Sequence, residues 1–137
     1  GADIKANPKR VTVNLHAVSL SGTANLLVQI GNDPDGFKTS GYLGSVSNNG
    51  TTVINPTAGV QFNISGGTLT PSGKIVFDLL DAATNTWTFL AGISTGSGNV
   101  AFTPGSVQLP GTLDRVRITT SNGTDTLDAG LASVSSE

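Results

Sequence analysis

Apolar and polar residues take turns along most of this chain with a period of two. From Arg10 onward, Val11, Val13, Leu15 and Ala17 fall on one side, while Thr12, Asn14 and His16 fall on the other. That spacing predicts a strand with one buried face and one wet face. Leu26, Leu27, Val28 and Ile30 form a more continuous apolar run ending at Gly31, as expected of a central strand covered on both sides. Further strands are predicted over Tyr42 to Val46, Thr51 to Ile54, and Val60 to Ile64, the last stopping at Ser65-Gly66-Gly67. Ile75, Phe77 and Leu79 share one face of the next strand, and Trp87 and Phe89 share one face of the strand after it.

Turn formers punctuate these runs. Asn32-Asp33-Pro34-Asp35-Gly36 stacks residues that fix unusual dihedrals or bond local amides, and a hairpin loop is its simplest role. Asn49-Gly50 is a strong two-residue hairpin signal. Asp81 to Asn85 reads as a turn and Gly92 to Asn99 as a mobile Gly/Ser/Thr loop. Beyond it, Val100 to Phe102 reads as a brief strand, and Pro104-Gly105 and Pro110-Gly111 bracket another through Val107 and Leu109. Val116 and Ile118 face inward from the following strand, with Arg115, Arg117 and Thr119 outward; Asn122 to Asp125 then leads into a last strand, Thr126 to Val134. About nine to eleven short strands at this spacing predict an antiparallel β-sandwich, jelly-roll-like, with no helix of useful length. Residues 1–9 read as an N-terminal arm and residues 10–137 as one domain. Val28 to Gly41 and Val76 to Gly92 look alike, each a strand, an acidic turn, an aromatic and a glycine, so a duplicated hairpin is one reading.

Composition changes the picture in two ways. Charged residues make up only 12% of the 137 residues, against roughly 25% in typical soluble domains, so Ser, Thr, Asn and Gly must carry the wet surface. Such a surface also suits assembly. Cysteine is absent, which removes disulfides, zinc-thiolate sites, iron–sulfur clusters and thiol nucleophiles. Seven basic residues scattered along the chain form no stripe that could track phosphates, so no nucleic-acid partner is expected. No apolar run approaches the length of a spanning helix, and no membrane partner is expected.

Candidate chemistry is sparse. His16 is the only imidazole, so it cannot anchor a histidine metal site, and an ordinary surface histidine outweighs a general base. Asp33 and Asp35 resemble the start of a calcium loop, but the twelfth position counted from Asp33 is Gly44 and not Glu, and the decisive bidentate ligand is missing. The Gly92 to Gly98 run carries no Lys and opens no helix, so it is not a phosphate loop. No catalytic residue, cofactor or metal is expected, and the chain reads as a non-enzyme. Candidate contact residues are Lys5, Lys9 and Arg10 before and at the first strand, and Arg115 and Arg117 on a common face. These two are read either as paired with acids across the sheet, such as Asp78 or Asp128, or as docking an acidic neighbour.

One resemblance adds to this. Val28-Gln29-Ile30 followed by Asn32-Asp33-Pro34-Asp35-Gly36-Phe37, then Leu109-Pro110-Gly111, Arg115-Val116-Arg117-Ile118-Thr119 and Ser121-Asn122-Gly123-Thr124, resembles small β-sandwich structural proteins of tailed-bacteriophage virions. Phe37 stands where Trp is expected after the first Asp-Gly turn. The resemblance implies a virion location, a role as capsid decoration or cement, head fibre or tail-associated module, and a homo-oligomer, often a trimer, bound to a major capsid or tail protein. The alternative is a carbohydrate-binding or adhesion module. Exposed, coplanar Trp87 and Tyr42 rings would favour that alternative, and buried rings the scaffold.

Overall fold

The computed structural model describes residues 4–50, 52–62 and 70–137, with only the backbone of Thr52 and Val53. Ile64 and the expected Ser65-Gly66-Gly67 stop lie outside them. The described residues hold twelve strands and no helix: β1 (Arg10–Leu20), β2 (Leu26–Asn32), β3 (Gly36–Phe37), β4 (Leu43–Gly44), β5 (Val46–Asn48), β6 (Thr52–Ile54), β7 (Val60–Gln61), β8 (Ser72–Asp81), β9 (Thr86–Ser94), β10 (Val100–Gln108), β11 (Arg115–Thr120) and β12 (Leu127–Ser136). A large sheet runs β12-β1-β8-β9-β10-β5-β6, with β4 also on β10. A small sheet runs β11-β2-β3, with β7 also on β2. All of these pairings are antiparallel. The expected antiparallel β-sandwich is present, although nothing in this strand order singles out jelly-roll connectivity.

One core joins the two sheets. Val11, Val13, Ile75, Phe77, Trp87 and Phe89 from the large sheet pack with Leu26, Val28, Ile30 and Val60 from the small one. Phe89 touches Phe77 and Tyr42 in tilted ring contacts with centroids 5.9 and 6.2 Å apart, within the separation that favours such pairs. Strand β2 is buried along its whole length, as its continuous apolar run implied.

Two readings from the alternation need correction. Ala17 does not continue the inward face of β1. Its φ is +48° and the pairing of β1 with β12 slips between His16 and Ser19, so Val18 and Leu20 take over the buried face. A bulge of this kind moves every later side chain to the other side. Second, the break at Pro104-Gly105 does not exist. Strand β9 runs on to Ser94, which shortens the expected loop, and β10 is a single strand through both residues. Proline cannot donate to a ladder and is tolerated where no acceptor waits. The carbonyl of Pro104 accepts from Ser45 N at 3.3 Å, so its donor-less nitrogen faces the same side, where β5 has ended and β4 not yet begun.

The two look-alike stretches are both hairpins, β2–β3 and β8–β9, but they sit in different sheets and use their aromatics differently. Trp87 is buried in the core and Phe37 is half-buried on the outside.

Candidate contact surfaces

Of the segment expected as an arm, residues 4–9 are fastened to their own domain. Lys9 N and Arg10 N both donate to Glu137 O, at 2.6 and 3.1 Å, and Lys5 N donates to Ser136 Oγ at 2.8 Å. Pro8 is buried and Ile4 packs on the core. Arg10 Nε lies 2.7 Å from Asp78 Oδ1, and this bond raises the Arg10 pKa above its usual value. His16 is exposed on β1 opposite Leu131.

The outer face of the large sheet is the least covered surface among the described residues. Every large apolar side chain that stands exposed among the described residues, Leu43, Leu80, Leu90, Val100, Phe102 and Leu131, belongs to this sheet. Register explains the cluster at its centre. Val76 sits opposite Leu90, Leu90 opposite Pro104, and Phe102 opposite Gly92, so these side chains share one face. Phe102 lies across Gly92 and remains 55% exposed, while Leu90 is 60% exposed. A shallow groove of about 520 Å³ follows this face, rimmed by Arg10, Lys74, Asp78 and Glu137. At the sheet's edge, β12 pairs only with β1 among the described residues. Between Ala129 and Ser136 it carries no charge and no proline, and Leu131 is 71% exposed. Such an edge lacks the devices that usually keep strands from pairing with other chains.

The outer face of the small sheet is built in the opposite way. Gly59 presses on β2 so closely that a Cβ would come 2.7 Å from Val28 O and 2.9 Å from Leu27 Cδ1. Gln29 is 3% exposed and donates to Ala58 O at 2.8 Å. Gly31 leaves room for the returning chain at Gly36 and Phe37; a Cβ there would meet Phe37 Cα at 2.7 Å and collide with Gly36 O. Tyr42 pins this layer from beneath. Its hydroxyl accepts from Ile30 N and donates to Lys38 O, each at 3.0 Å. Burial pushes its pKa up to about 12.

The two late arginines meet different partners from those expected across the sheet. Arg115 Nε bonds Asp114 Oδ1 at 2.8 Å and its terminal nitrogen lies 3.8 Å from Asp33. Those contacts raise the Arg115 pKa, and the same hydrogen bond holds the Asp114 carboxyl below its usual range. Asp78 and Asp128 are engaged elsewhere, with Arg10 and Ser19. Arg117 Nε donates to Gln29 Oε1 at 2.7 Å, and its guanidinium lies 4.4 Å from the Phe37 ring centre. Asp35 accepts from Asn32 Nδ2 at 2.8 Å, and no group of three His, Cys, Asp or Glu side chains among the described residues could hold a metal. Gln29 and Phe37 were missed as site residues by sequence reasoning. Their one signal was a polar residue, Gln29, inside the otherwise apolar run Leu26 to Ile30.

Trp87 and Tyr42 are each 1% exposed. No protein-family model, curated protein or solved structure matches the chain.

Proposed function

We propose that this protein is a non-catalytic structural module acting through protein–protein contacts. We place it in a virus particle, as a capsid decoration or stabilising subunit, a head fibre or a tail module. The observation that carries the contact reading is the uncovered large sheet, with Leu90 and Phe102 on its face and an uncharged edge along β12. The virion placement is supported by the sequence resemblance alone. Burial of Trp87 and Tyr42 favours the scaffold over the carbohydrate-binding alternative, because sugar stacking uses exposed rings.

The partner we assign to the β12 edge is a second copy of this chain. Isologous pairing asks only that a strand match itself, and β12 brings no charge opposite itself between Ala129 and Ser136. Size-exclusion chromatography with light scattering tests this. The expected species is larger than the 13.8 kDa chain, and Ser133→Lys, which puts a charge in the middle of the edge, shifts it toward monomer. A monomer at high protein concentration overturns the reading. Antibody raised against the protein should label purified particles; absence of label on both intact and disrupted particles overturns the virion placement.

A further inference from the structure

Among the three arginines, Arg10 and Arg115 already face carboxylates, whereas Arg117 has no acid partner among the described residues. It is nonetheless held in place from two directions. Its Nε is fixed by Gln29, a polar side chain buried on the outer face of β2 and itself anchored to Ala58 O. Its guanidinium lies over Phe37, which reaches it across the bare backbone of Gly31. A free arginine on a surface retains most of its rotamer entropy. Here that freedom is restricted in advance, which lowers the cost of binding, and the two terminal nitrogens have no partner among the described residues. Among the described residues β11 is also an edge strand.

We infer that Arg117 is a preorganised docking point for a single carboxylate, an Asp or Glu carried by an extended segment of another protein chain that lies along β11. A planar guanidinium offers a carboxylate two parallel hydrogen bonds, and a strand added beside β11 places one of its side chains next to Arg117 on the same face. Charge balance selects this occupant over a polyanion. Arg115 is already held by Asp114 and Asp33, which leaves Arg117 as a single cation, so the face has no run of cations to follow a phosphate backbone. The inference deepens the contact-module reading by naming what one surface recognises.

The test uses a short capped peptide of alternating Thr and Val with one central Glu, and the same peptide with Gln, in NMR titrations of the intact protein followed at the Arg117 Nε–Hε resonance. The Glu peptide should shift that resonance and bind about tenfold more tightly than the Gln peptide, the effect of one charge-assisted bond. Arg117→Lys should remove most of the difference while the circular dichroism stays unchanged. Phe37→Leu, which keeps the apolar cover but not the ring face, should reduce it. Equal binding of the two peptides overturns the inference, as does a stronger response to inorganic phosphate or to a single-stranded oligonucleotide. Light scattering on the same samples reports self-association separately, so failure of the Arg117 site and failure of the contact-module reading give different results.

Discussion

The two sheets share one core but finish their outer faces in opposite ways. Over the small sheet, Ala58-Gly59, Gly36-Phe37 and Arg117 close upon β2 until even its outward-facing Leu27 and Gln29 are buried. Over the large sheet nothing among the described residues closes, and Leu90 and Phe102 stand in solvent. Both sheets are short of charge, so charge density does not separate them. What differs is whether the chain has spent its own loops on the face. The small sheet is completed from within, with the Arg117 guanidinium left facing out without an acid partner among the described residues; the large sheet leaves apolar surface, which marks contact sites more often than it marks idle surface.

Three substitutions sharpen this contrast, from the largest effect to the smallest. Gly31→Ala attacks the closed face directly, because the added methyl group collides with backbone at Gly36 and Phe37 and not with a side chain able to move. Overpacking of that kind costs about 3 kcal/mol, read as a lower urea midpoint with an unchanged slope. No loss would mean that the cover over β2 is loose.

Tyr42→Phe removes the hydroxyl that ties Ile30 to Lys38 and leaves the buried Ile30 N–H and the part-buried Lys38 carbonyl without it, at a cost of about 1 to 2 kcal/mol. The wild type should also weaken in alkali. Its Tyr42 pKa is raised to about 12 in the folded state and lies near 10 in the unfolded chain. The unfolded state therefore releases its proton first, and the stabilisation from this group, complete below pH 10, is lost as pH climbs toward 12. Urea midpoints across that range should converge for wild type and Tyr42→Phe. Parallel curves would sink the assignment.

Phe102→Ser, on the open face, should change monomer stability by no more than about 0.5 kcal/mol, read as a nearly unchanged urea midpoint. A large stability loss would show that this face is already part of the fold's own core.

Much of the architecture was legible in the residues. The alternation in β1 as far as His16, and in β8, β9 and β11, assigned inward and outward positions correctly, and the unbroken run Leu26 to Ile30 identified the strand buried on both sides. That alternation failed at Ala17, where a bulge is set by the partner strand, through Gly130 at φ +90°. It failed again at Pro104, where a proline is acceptable only because two neighbouring strands happen to stop on either side of it. Both depend on what lies alongside, which one chain read in order does not contain. The Arg117 site divides in the same manner. Arg117 was picked out as a contact residue from its exposure on a strand, but Gln29 and Phe37 reach it only through the register that sets Arg117 beside Gln29 and Gly31 beside Phe37.

Trp87, the sole tryptophan, is sealed in the shared interior, and its indole nitrogen finds no acceptor among the described residues. Its fluorescence should therefore begin at short wavelength and move to the red only when the interior opens to water. Association through the bare sheet or through Arg117 happens on the far side of that wall and should leave the emission colour unchanged. One intrinsic chromophore thus tells unfolding apart from assembly, with no label added to either surface.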